Sequence, residues 1–310
     1  GQSPGRTLAG TEGLAMLGPD ARLMAGFLDR TRRRLSACRA GEGVGAPGAE
    51  VGIRDMGPGF LTWRVIDDGS STPTASSDRV FWIAPDRAVS GADLDEAIGY
   101  YRSLRRARAF FVLGPGAWSE ELGAEMARRG MRPWTQVRYP ALARETVERA
   151  GEEWGSTTLE PRIVTGDDPS ALDRVLESIG PWYGREWLGL VRRVVVEVGA
   201  ELHVAWDAAL LRPVAIGGVV VEGDWSYVCF GATEDSHRRR GGQTLLFRTR
   251  LASASGRGAR WCVGETNSMA EQSLRNFLRC GFSEAFEMRV WGWEEARPQG
   301  VRPVVETLSV

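Results

Sequence analysis

Apolar positions along this chain change period repeatedly, and the changes mark its elements. Residues 19–38 place Leu23, Phe27, Leu28 and Leu35 on one side of a helix, at the three-to-four spacing an amphipathic face requires. The Gly/Pro/Ala-rich stretch 41–52 reads as a flexible link. Alternation over 60–66 predicts a strand, and the polar run 67–78 a loop. One pattern then passes twice. In the first pass, 79–84 reads as a strand and 92–106 as a helix carrying Leu94, Ile98, Tyr101 and Leu104 on one face. A strand follows at 109–113. The next helix is capped by Ser119, has Glu120 and Glu121 in its first turn, and stops at Gly130. A strand at 135–139 closes the pass.

Residues 141–161 are polar, hold Gly151, Gly155 and Pro161, and read as the linker. The second pass opens with a strand at 162–165 and a helix at 169–178, capped by Asp168 with Pro169 at its first position. Another helix spans 186–198. Strands at 202–206, 214–221 and 225–233 follow, then a helix at 242–255, a strand at 260–265, a helix at 271–280 ending in Gly281, and a last strand at 286–293. Helices interleaved with strands after an antiparallel start define a mixed α/β (α+β) chain.

Composition narrows the class. A chain of 310 residues, 43% hydrophobic and 25% charged, suits two globular domains. No apolar run is long enough to span a bilayer, the opening residues show no signal-peptide pattern, and a cytoplasmic location is expected. The net charge of −1 argues against nucleic acid as a partner. Every one of the 39 basic residues is Arg. The clusters Arg30/Arg32/Arg33/Arg34 and Arg102/Arg105/Arg106/Arg108 read as solvated helix faces, or as docking patches for an acidic partner. Cys38, Cys229, Cys262 and Cys280 are widely spaced, and His203 and His237 are the only histidines. Neither a disulfide framework nor a metal site is expected.

The chemistry concentrates at Ser236–Leu246, where Arg238, Arg239, Arg240, Gly241 and Gly242 join a strand to a helix. Free N–H groups of a first helical turn, reinforced by the helix dipole, attract anions. The glycines let a diphosphate approach the backbone without meeting a Cβ. Cys229, on the strand before the loop, has no neighbour to activate it and reads as inert packing. His237 reads as a surface residue of the loop.

These residues resemble the GNAT acyltransferase superfamily. Its acyl-CoA signature, Arg/Gln-x-x-Gly-x-Gly/Ala, is matched by Arg238 and Gly241, with Gln243 departing at the third position. A second signature, a helix ending in Gly-Phe after the next strand, is matched by Ser273–Phe282 about 40 residues later. The likeness covers about residues 160–293. Residues 128–131 echo the Gly-Phe helix end, but Ala88–Ala92 stands where a phosphate loop would be. The resemblance therefore implies two GNAT-like domains, each a mostly antiparallel twisted sheet flanked by helices: a degenerate one at 1–145 and a catalytic one at 160–310.

The same resemblance implies a donor, acyl-CoA or an acyl group on a phosphopantetheine arm, and a small-molecule amine as acceptor. Pantetheine amides would pair near Gly231, Ala232 and Thr233. Arg238, Arg239, Arg240, Gly241, Gly242, Gln243 and Thr244 would hold the diphosphate, with Asn267 and Ser273 near the donor. The family's thiolate-protonating Tyr falls at Phe277, which carries no proton to give. Tyr227, Glu265 and Glu222 are the replacement candidates. Trp182 and Tyr183 would line the acceptor pocket. An acidic acyl carrier protein as donor, and a non-catalytic CoA-binding scaffold, remain alternatives.

Overall fold

The structure is a computed structural model, and it describes residues 19–39, 49–56, 58–66, 78–134, 139–146, 157–266 and 270–295. The chain begins with α1 (Pro19–Arg39), β1 (Ala49–Met56), β2 (Gly59–Ile66), β3 (Arg79–Trp82), α2 (Gly91–Ser103), β4 (Arg108–Leu113), α3 (Glu120–Arg128), β5 (Arg132–Pro133) and β6 (Tyr139–Glu145). It continues with β7 (Glu160–Val164), α4 (Pro169–Tyr183), α5 (Arg185–Arg193), a π-helical turn (Val194–Val198), β8 (Glu201–Asp207), β9 (Arg212–Glu222) and β10 (Trp225–Thr233). After a short 3-10 turn (Asp235–His237) come α6 (Gly242–Gly256), β11 (Trp261–Glu265), α7 (Glu271–Arg279) and β12 (Ser283–Glu294).

Among the described residues the strands form one continuous sheet, ordered β1-β2-β3-β4-β12-β6-β11-β10-β9-β8-β7, with β5 on β12. The architecture is the mixed α/β one expected, mostly antiparallel, with parallel pairs only at β3–β4 and β10–β11. In the C-terminal half, α4 and α5 pack on one face over Leu202, Val204 and Ile216. Two smaller clusters cover the other face, Phe247, Leu251 and Phe277 over Val219 and Val228, and Leu246 over Ala205 and Ala215. Helix α1 lies over the join of the halves, where Met24, Phe27 and Leu28 share one core with Phe60, Phe81, Tyr227 and Val263.

Three expectations need correction. The stretch read as a linker at 141–161 begins as β6, paired to β11 on one side and β12 on the other. Its charges hid it: Arg144 is buried, with Nη1 donating to the Cys280 carbonyl at 2.5 Å. The stretch read as a flexible link at 41–52 ends inside β1. Gly52 is needed there because its partner Trp63 lies across it, 1.8 Å from where a Cβ would stand. Leu23, placed on the apolar side of α1, is 61% exposed. The strand expected at 135–139 falls mostly outside the described residues.

Candidate active site

The site grows from a gap in the sheet. β10 and β11 run parallel through three pairs only, Trp225↔Trp261, Ser226↔Cys262 and Tyr227↔Val263. Beyond Tyr227 each strand follows a different neighbour. β10 stays on β9 to Thr233, and β11 stays on β6 to Glu265. The facing edges therefore carry backbone donors and acceptors with no ladder partner between them, a slot for an extended polar ligand. A bulge sharpens the departure: Cys229 faces Gly218 and Ala232 faces Ile216, leaving Phe230 and Gly231 opposite one residue, with Phe230 at φ 57°. Just past the last pair, the Phe277 ring covers Gly264, 2.3 Å from where a Cβ would stand there.

At the closed end of the slot three side chains meet. The buried Tyr227 hydroxyl donates to Glu265 Oε1 at 2.7 Å, and Glu265 in turn pairs with Arg32 of α1. Burial pushes the Tyr227 phenol well above its ordinary value, with Arg32 opposing, so it stays protonated at neutral pH. Arg32 was missed as a site residue because it stood in a charge run. The usable signal was its place between Leu28 and Leu35, on the apolar seam of α1, where a charge must find a buried partner. Glu222 sits elsewhere, at the hairpin opposite Trp225, paired with Arg30 at 3.1 Å and Arg34 at 3.2 Å. The first Arg cluster thus spends itself inside the chain, Arg33 pairing with Asp55. In the second, Arg102 pairs with Glu295, and Arg106, only 4% exposed, with Asp78. Burial raises the Cys229 thiol to about 12 and keeps it inert.

At the open end lies the phosphate-loop candidate. Arg239 (φ 65°) and Gly241 (φ 81°) take left-handed backbone, and α6 starts with no side-chain cap. Its first-turn N–H groups, among them those of Gly242, Gln243 and Thr244, are left to an outside acceptor. Gly242 serves packing rather than ligand approach: a Cβ there would press on Ala215 at 3.3 Å and Leu159 at 3.4 Å. The arginines divide. Arg240 is committed to buried Asp207 at 3.0 Å, Arg238 makes an exposed pair with Asp235 at 2.6 Å, and Arg239 has no ion pair among the described residues. His237 is buried, not a surface residue, with Nδ1 3.0 Å from Glu234 and Nε2 3.6 Å from Asp207, and it braces the loop. Gln243 turns toward β10, donating to the Ala232 carbonyl at 2.8 Å and Thr233 Oγ1 at 2.9 Å. Ser273 is half-buried in the first turn of α7, and Asn267 lies outside the described residues. Trp182 and Tyr183 pack in the cluster that includes Phe230 and Ala232 of β10.

Among its described residues the N-terminal half has neither feature. β3 and β4 stay zipped through Trp82↔Leu113, and the Gly114 N–H donates onward to the Trp82 carbonyl at 2.9 Å. Helix α2 fills its own N-terminus: Ser90 and Asp93 cap each other, and Arg87 grips both Asp93 oxygens at 2.8 and 2.5 Å. Those Arg87 bonds, against burial, hold Asp93 down at about 2.

No protein-family model and no curated protein matches the sequence. Solved structures match in fold. A tandem GNAT protein from the clavulanic acid biosynthesis pathway aligns at 14% identity and TM-score 0.57, over 91% of this chain and 97% of that one. A GCN5-related N-acetyltransferase from Kribbella flavida aligns at 16% and 0.51, over 88% and 96%. Another from Sphaerobacter thermophilus aligns at 14% and 0.50, over 85% and 80%. The fold is that of the GNAT acetyltransferases. The first of these structures is a tandem GNAT protein, and it aligns over nearly the whole of both chains. Among the described residues no helix is long and apolar enough to cross a membrane.

Proposed function

We propose that this chain is an N-acyltransferase that moves an acyl group from acyl-CoA to the amine of a small acceptor at a donor site built in the 160–310 region; residues 1–145, a half without a donor site, contribute Arg32. The observation that carries the reading is the alignment of one open strand edge, on β10, with one uncapped helix start, on α6. A diphosphate on a long amide-bearing arm needs both. The residues fit such a donor: Arg238, Arg239 and the N–H groups of Gly242 to Thr244 take the diphosphate, and the β10 edge from Gly231 to Thr233 takes the arm. When bound, acyl-CoA supplies an activated thioester. The chain supplies position, which converts a two-body encounter into a local one, and a proton. Tyr227 donates its hydroxyl proton to the departing thiolate sulfur. The proton shed by the acceptor nitrogen returns to Tyr227 by way of Glu265, and Arg32 steadies the negative charge between them. Trp182 and Tyr183 wall the acceptor.

Thiol release from acetyl-CoA, scanned over a panel of amines, tests the reaction. Tyr227→Phe should cut turnover roughly a hundredfold, in the range expected of a general acid. CoA binding with no turnover on any amine would favour a scaffold, the reading that Phe277 supports. Turnover only with acyl carrier protein would reassign the donor. Binding of neither CoA nor carrier would end the donor-site reading.

A further inference from the structure

A cavity of about 370 Å³ lies away from the slot, between α4 and the outer strands β7 and β8. It is on the sheet face that α4 covers, while α6 covers the other. Its floor is apolar and buried, with Val164, Val175 and Val204. At its mouth Ile163 is 51% and Leu211 75% exposed. Leu211 holds left-handed backbone, φ 53°, a costly conformation for a branched side chain that the core does not use. The polar groups of the lining are donors. The Arg162 guanidinium stacks on Trp206, 3.8 Å from the ring centroid, and its ion pair with Glu160 is long, 3.5 Å, and exposed. Arg174, also in the lining, has no ion pair among the described residues. The buried Trp206 Nε1–H has no hydrogen-bond partner among them either. Of the tryptophans in that state, Trp206 is the one that lines this cavity. A buried donor left unpaired is a cost that a bound acceptor removes.

We propose that this cavity is a binding site for a small carboxylic acid with an apolar body. The carboxylate takes Arg174 and the free edge of the stacked Arg162 guanidinium, and the Trp206 N–H supplies a further donor. The body rests on Val175 and Val204 and covers Ile163 and Leu211. Guanidinium forks match a planar carboxylate. The volume stands at the small end of ligand pockets, which suits a single ring or a short branched chain. The site shares no residue with the proposed donor site and stands independently of the acyl-CoA reading.

Proton–nitrogen NMR of the full chain tests it, with the Trp206 indole signal identified by its loss in Trp206→Phe. Phenylacetate, benzoate and 3-methylbutyrate are the probes, each beside its uncharged amide. At least one acid should move the Trp206 signal saturably at millimolar concentration, and its amide should bind about tenfold more weakly. Arg174→Gln changes an exposed side chain and leaves the fold intact. It should weaken binding of the acid about tenfold, the share of one charge-assisted hydrogen bond. An amide that binds as well as its acid, or an unchanged affinity in Arg174→Gln, overturns the carboxylate site. A Trp206 signal that no probe moves overturns it as well.

Discussion

Asp29 on α1 is an acid in a costly place. Its side chain is 14% exposed, and its Oδ1 has no hydrogen-bond partner among the described residues. Arg33 stands 3.9 Å from the other oxygen. Burial raises its pKa from 3.8 to about 6, against the opposing pull of Arg33, the Ile83 N–H and Arg30. An acid whose folded-state pKa is raised weakens the fold above that value, and the penalty fades as pH falls through 6 toward 3.8. At 1.36 kcal/mol per pH unit the displacement is worth about 3 kcal/mol at pH 8, about 1.6 at pH 5 and about 0.5 at pH 4. Asp29→Asn keeps the shape and removes the charge. Allowing half for relaxation around the site, the variant should be about 1–2 kcal/mol more stable than wild type at pH 8 and indistinguishable near pH 4. Denaturant unfolding at four pH values reads both numbers. Equal or lower stability of Asp29→Asn at pH 8 would refute the reasoning, and so would a gain that does not change with pH.

Other expectations follow from neighbouring elements. Glu201 has the opposite sign: hydrogen bonds from His203 and Ser253, against burial, pull it down to about 2. Glu201→Gln should cost about 2 kcal/mol at pH 7, and the loss should shrink as pH falls through 4.5 toward 2; a constant loss would point to packing instead. Gly241→Ala places a Cβ on backbone at φ 81°. It should cost about 1–2 kcal/mol and weaken CoA binding with it, and a variant that binds CoA normally would mean that the turn plays no part in the diphosphate site.

Local chemistry was legible in the sequence, and partnership at a distance was not. The Gly241 turn, the Asp168 and Ser119 caps and the helix ending at Gly281 depend on a few adjacent residues, and each stands where its residues indicate. The sequence offers Tyr227 and Glu265 as separate candidates. Their hydrogen bond spans 38 positions, the Arg32–Glu265 pair that completes it spans more than two hundred, and no periodicity carries such pairings. β6 was lost for a related reason. Arg144 and Glu145 look solvated until β11 pairs with both and the Cys280 carbonyl takes the Arg144 guanidinium. His237 was misplaced because its burial comes from Asp207, the end of another strand.

The last strand has a consequence for how this chain can be cut. Ser283 to Met288 lie along β6, and Arg289 to Glu294 lie along β4. One uninterrupted stretch of backbone therefore serves as an inner strand on both sides of the molecule. A gene split in the segment after β6 would give a first fragment with an open sheet edge at β4, and a second fragment holding β12, the strand that covers that edge. Such halves would be complementary pieces rather than free-standing modules: each would be left with an exposed edge alone, and they would regain the native sheet only on meeting. The duplication that the two passes suggest has become a single cooperative object.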